Sequence, residues 1–194
     1  RDNRWRFYIC VLIHMNECLL IIDPQKDFTS SVGFYAEKHE ISRITVAKNN
    51  INDLLQLIHD TIHIIIVYSD YRINQFGENF SICIPDTEGH EIDIGINDSY
   101  LSFAKNEYSA FSSRQLVEFL KRNCIEKIYI AGFLAEYCIR ATAIDAIRND
   151  FEVILLRDCI GTGDDHQDQI EILFREIADS GGHVSDSREC FSAF

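Results

Sequence analysis

Four short apolar runs without alternation limit what this chain can fold into: CLLIID from Cys18 to Asp23, IHIIIVY from Ile62 to Tyr68, KIYIA from Lys127 to Ala131 and EVILL from Glu152 to Leu156. A strand with one wet face alternates apolar and polar residues, whereas a continuous apolar run is buried on both faces, as in a parallel sheet covered by helices. Helical periodicity fills the gaps between the runs. Ile44, Ala47, Ile51, Leu54, Leu55 and Ile58 keep the three-and-four spacing of one face, with Ser42 placed as an N-cap. Leu116, Phe119 and Leu120 follow Ser112 or Ser113 in the same way, and Ile139, Ala143, Ala146 and Ile147 form a third face. Ile170, Leu173 and Ile177 form a fourth, stopped by Gly181-Gly182. Strands alternating with helices imply right-handed βαβ units. The expected fold class is therefore α/β, with a Rossmann-like doubly wound, mainly parallel sheet and helices on both faces. At 194 residues and 22.4 kDa it fits a single domain.

The domain is expected over residues 15–194. Arg1, Arg4 and Arg6 precede the apolar stretch Phe7 to Ile13, which imitates a signal peptide but is short and has no small-residue cleavage site. Residues 1–14 are accordingly expected to be an extension outside the fold. Composition narrows the partners. A net charge of −13 repels polyphosphate and anionic membrane surfaces, so neither nucleic acid nor membrane is an expected partner. No run of about 18 apolar residues is present to span a bilayer. Seven cysteines form an odd set with no CxxC pair, which argues against a disulfide framework and a cysteine-built zinc site and for a reducing, cytoplasmic setting.

Ligands of such sheets bind beyond the carboxyl ends of the strands, so Asp23, Asp70 and the segment from Gly132 are expected to converge. The stretch from Arg72 to Ser99 interrupts the alternation and reads as an active-site loop. Cys138 falls where the loop after the KIYIA strand meets a helix N-terminus, a position that favours a thiolate and marks it as the candidate nucleophile. A nucleophilic thiol needs a base and a cation: Asp23 at a strand tip is the candidate proton acceptor and Lys105 the candidate cation.

Three blocks, LLIIDPQKDF (Leu19 to Phe28), KNEYSAF (Lys105 to Phe111) and GFLAEYCIRATAIDA (Gly132 to Ala146), occur in an order and spacing that resemble the isochorismatase-like cysteine hydrolase superfamily. That superfamily includes nicotinamidases, N-carbamoylsarcosine and ureidoacrylate amidohydrolases, and true isochorismatases. The resemblance implies Asp23 as general base, Lys105 as catalytic lysine and Cys138 as nucleophile. It also implies a cis peptide at Phe133-Leu134, with an oxyanion hole made by the N–H groups of Leu134 and Cys138. Phe28, Arg72 and Phe133 are the candidate substrate contacts, Arg72 as a guanidinium grip on a substrate carboxylate.

True isochorismatases lack the nucleophilic cysteine, so Cys138 points to amide, carbamoyl or ureido C–N cleavage through a thioester. Nicotinamidases bind a metal through an Asp-x-His pair after the second strand. Here Asp70 is followed by Arg72 where the histidine would stand, and HEIDI at His90 lacks the second histidine of HExxH. The expectation is a metal-independent hydrolase of a small-molecule substrate with no cofactor, in a family that often forms homo-oligomers. The alternatives are a nicotinamidase with a degenerate metal site and a catalytically relic member acting as a binding partner. Gly161-Thr162-Gly163 followed by Asp164 and Asp165 reads as a turn whose acids cap the helix after it.

Overall fold

The computed structural model describes residues 16–58 and 62–192, so the extension expected at 1–14 lies outside the described residues. Six strands form one all-parallel sheet: β1 (Glu17–Ile22), β2 (His63–Ser69), β3 (Leu101–Lys105), β4 (Lys127–Phe133), β5 (Glu152–Gly161) and β6 (His183–Ser185), ordered β3-β2-β1-β4-β5-β6. The helices are α1 (Ser42–Ile58), α2 (Arg114–Arg122), α3 (Arg140–Arg148), α4 (Gln167–Asp179) and α5 (Ser187–Phe191), with a single helical turn at Lys26–Thr29.

The unbroken apolar runs follow from burial on both faces. Leu19 and Ile21 of β1 enter one core with Ile44, Ile51, Leu54 and Leu55 of α1 and Phe191 of α5. Cys18, Leu20 and Ile22 of the same strand enter the opposite core with Leu116 and Leu120 of α2, Ala143 and Ala146 of α3, and Leu173 and Ile177 of α4. Burying each Leu or Ile side chain contributes about 1.5–3 kcal/mol, so a central strand is stabilised from both sides.

Two strands, β3 and β6, escape the apolar-run criterion, and β5 runs past Leu156 to Gly161. The reason is position: β3 and β6 are the sheet edges, and LSFAK and HVS are only partly buried. The stop at Gly181-Gly182 is a Schellman motif: Gly182 N–H donates to Ile177 O at 2.9 Å and Gly181 N–H to Ala178 O at 3.2 Å, with Gly181 at φ +93°. The two acids after Gly163 do not cap α4. Asp164 accepts from the Ser42 hydroxyl and, at 2.8 Å, from the Arg43 N–H at the start of α1. Asp165 turns to His39, which approaches it at 3.0 Å. Asp164 reaches back across the sheet end because α1 presents an open N–H group there, while Asp165 pairs with the His39 imidazole instead.

The stretch 72–99 contains no strand and is stitched to the segment after β1. Lys26 N–H donates to Glu91 O at 2.9 Å, Asp93 N–H to Pro24 O at 2.7 Å, and Cys83 N–H to Asp27 Oδ2 at 2.6 Å. Gly89 packs directly on the Asp27 carboxylate, where a Cβ would collide with it.

Candidate active site

Strand register places the three predicted chemical groups side by side. Lys105 ends β3 opposite Ser69, the last residue of β2, while Ile22 at the end of β1 pairs with both Val67 and Gly132. Asp23 follows β1 at once, in the left-handed region with φ 52°, and its N–H donates to Val67 O at 2.8 Å. Cys138 follows β4 through the cis peptide Phe133-Leu134 and a π-helical turn, Ala135–Ile139, that leads into α3. Gly132 opens this turn at φ +120°, and a Cβ there would strike the Ile22 backbone. The order reverses between β1 and β4, so the site occupies the switch point of the sheet.

Asp23, Lys105 and Cys138 are all buried. Lys105 Nζ lies 3.4 Å from Cys138 Sγ, 2.8 Å from Ser69 Oγ, 2.9 Å from Tyr71 Oη and 3.1 Å from Glu107 O. Asp23 Oδ1 accepts from Ser69 Oγ at 2.8 Å. Its Oδ2 faces Lys105 Nζ at 3.0 Å as an ion pair and accepts no aligned hydrogen bond among the described residues. The Asp23 carboxylate also interacts with the Cys138 thiol. Gln25 braces the floor: its Nε2 donates to Ser69 O and His90 O, both at 3.0 Å, and its Oε1 accepts from Ser69 N–H at 2.7 Å.

The electrostatics correct one expectation. The helix N-terminus was expected to favour the thiolate, yet burial, with the Asp23 charge second, pushes the Cys138 thiol up to about 12, against the opposing pull of Lys105. The resting sulfur is therefore a thiol beside the Asp23 carboxyl group. Burial alone would lower the Lys105 ammonium, but the Asp23 charge, together with the ammonium's contacts to Asp23 and Cys138, outweighs burial and holds it above the ordinary lysine value. Burial drives the Tyr71 phenol far upward, so it stays neutral and hydrogen-bonds without changing the charge.

Cys138 opens into a cavity of about 280 Å³ walled by aromatic rings, among them Phe28, Phe34, Phe76, Phe80 and Tyr108, with Leu134 and Tyr137 beside the sulfur. Phe28 is thus placed at the pocket. Arg72 is not: Tyr71 turns inward, and the next residue projects into a separate groove with Asp70, Gln75 and Asn106. Phe133 is not a pocket residue either, because its ring is fully buried in the core over Gly161. Sequence reasoning assigned no role to Ser69, Tyr71 or Gln25. Ser69 had a signal in its position at the end of a buried strand; Tyr71, in an irregular loop, had none.

The nicotinamidase-type metal position does not fit. Asp70 Oδ1 is bonded to His90 Nε2, Arg72 stands where a ligand is needed, and among the described residues no third donor joins them.

A model of the isochorismatase domain matches residues 17–189. The maleamate amidohydrolase of Pseudomonas putida is 33% identical over 81 residues, which span 42% of this chain and 37% of that relative. A secreted isochorismatase effector of Verticillium dahliae is 26% identical over 187 residues, 88% of each chain. The crystal structure of the pyrazinamidase of Pyrococcus horikoshii in complex with zinc superposes with a TM-score of 0.76 at 23% identity, over 88% of this chain and 99% of the other.

Proposed function

The chain belongs to the isochorismatase domain family, and from that premise we propose that it is a cysteine hydrolase that cleaves an amide, carbamoyl or ureido C–N bond of a small molecule. The observation that supports this most is the buried contact of Cys138 Sγ with Lys105 Nζ at 3.4 Å, with the same Lys105 Nζ 3.0 Å from Asp23 Oδ2. The similarity to a maleamate amidohydrolase favours amides over other acyl substrates.

In this reading Asp23 Oδ2 takes the thiol proton as Sγ bonds to the carbonyl carbon, so the sulfur becomes anionic only while it is being consumed. The N–H groups of Leu134 and Cys138 receive the oxyanion, and each such donor lowers the barrier by about 3–4 kcal/mol. Asp23 returns its proton to the departing nitrogen, which leaves as ammonia or an amine. It then takes a proton from water as the water attacks the thioester, and the acid product departs as the thiol is restored. Lys105 stays charged throughout and balances Asp23 and the sulfur in turn. No bond-breaking step requires a metal.

The test is ammonia or amine release over a panel of simple amides, N-carbamoyl amino acids and ureido acids, with Cys138→Ala alongside. Turnover by the native protein that is lost in Cys138→Ala is expected. Turnover retained by Cys138→Ala, or none from a folded native protein across all three classes, would overturn the reading.

A further inference from the structure

We propose that His39, Asp165 and His166 bind a divalent transition-metal cation of the zinc class at the rim of the Cys138 pocket, with one coordination position left open. These residues come from two loops. His39 follows the turn Tyr35–Glu37, and Asp165 and His166 precede α4. Their candidate ligand atoms all lie within 4.8 Å of one another, and among the described residues they form the one group of three or more potential metal ligands. His39 Nδ1 is 3.2 Å and His166 Nδ1 3.4 Å from the same oxygen, Asp165 Oδ1. Ligands held at about 2.0–2.1 Å in a tetrahedron stand roughly 3.3 Å apart, so these two separations already approximate two edges of a zinc coordination sphere.

An ordinary His39–Asp165 hydrogen bond explains only two of the three residues. His166 Nδ1 is a buried atom with no hydrogen-bond partner among the described residues, and it faces a carboxylate that His39 already engages. A cation gives that nitrogen a partner and makes the crowding of both imidazoles on one carboxylate favourable.

The surroundings hold the two loops together before any ion arrives. The His39 ring stacks on Tyr35 with centroids 4.3 Å apart, and Tyr35 Oη accepts from Gly163 N–H at 3.3 Å. Asp164 N–H donates to Glu40 O at 2.9 Å. A Cβ at Gly163 would sit 2.7 Å from Asp165 Oδ1, so glycine is what allows the carboxylate to lie where it does. Both histidines line the same cavity as Cys138. Three protein ligands leave a position for water or for an oxygen of a molecule in the pocket. This site is separate from Asp70 and Arg72, and it goes beyond the proposed reaction, in which no step uses a metal.

Cobalt(II) titration of the metal-stripped full chain tests it, because d–d bands report nitrogen and oxygen ligation while charge-transfer bands betray sulfur. Expected is saturation at a single ion per chain without sulfur bands, unchanged in Cys138→Ala and His90→Gln, and weakened about tenfold or more in both His39→Gln and His166→Gln. Absence of a saturable band, a sulfur band at saturation, or undiminished affinity in either histidine variant overturns the proposal. A measurement on the native protein guards against misfolded variants. Zinc should slow carbethoxylation of His39 and His166, mapped by mass spectrometry, and leave exposed His183 unaffected; lack of protection at either histidine overturns the proposal equally. Because Cys138→Ala is expected to bind cobalt normally, this result stands or falls apart from the hydrolase reading.

Discussion

At Cys138 the burial that shields the pocket also holds the proton on sulfur, and in the proposed reaction Asp23 removes it. With the thiol pushed up to about 12, the thiolate fraction grows tenfold per pH unit throughout the range below it. Alkylation by iodoacetamide at Cys138 should therefore keep rising from about pH 7 to pH 10, where an unperturbed thiol near 8.5 already levels off. A plateau below about pH 8 would mean a preformed thiolate. Removing the cation is costly in a different way. Lys105→Met leaves Asp23 buried without its 3.0 Å partner, and breaking such a pair costs about 3–5 kcal/mol. Urea unfolding checks this, and a loss under about 1 kcal/mol would mean that Asp23 is compensated from elsewhere. That Asp23, Lys105 and Cys138 would meet was legible because each sits at the carboxyl end of a strand or in the loop beyond it. Tyr71 and Ser69 were not, since their part is to accept and relay hydrogen bonds around Lys105, which only the assembled sheet end defines.

Among the elements, α1 begins under a cap supplied from far along the chain. Asp164 satisfies the Ser42 hydroxyl and the Arg43 N–H, so Asp164→Ala should cost about 0.5–2 kcal/mol in a urea titration. An unchanged midpoint would show that water serves these groups equally well. The sequence pointed to Ser42 as a helix start and to Asp164 as a cap, but assigned the acid to the wrong helix, because capping patterns are local and this contact is not. Central strands were readable from unbroken burial. The edges β3 and β6 were hidden by their half-exposed surfaces, although β3 delivers Lys105.

For the whole molecule, the strand order gathers groups separated by more than a hundred residues at one switch point, and the doubly wound pattern was legible before any contact was known. Pocket shape was not, because the aromatic wall comes largely from loops whose paths depend on backbone hydrogen bonds such as Cys83 N–H to Asp27. The net charge of −13 has a kinetic consequence. For a negatively charged amide, kcat/KM should rise as salt goes from about 10 mM to 150 mM, and for a neutral amide it should not, because screening removes long-range repulsion. An equal response of both would assign the effect to something other than the summed field. The most direct measurement is intact-mass analysis of the protein quenched during turnover of the best panel amide. The account predicts an acyl adduct, substrate minus ammonia, located on Cys138 and missing from Cys138→Ala; an adduct on another residue, or steady turnover by Cys138→Ala, would contradict it.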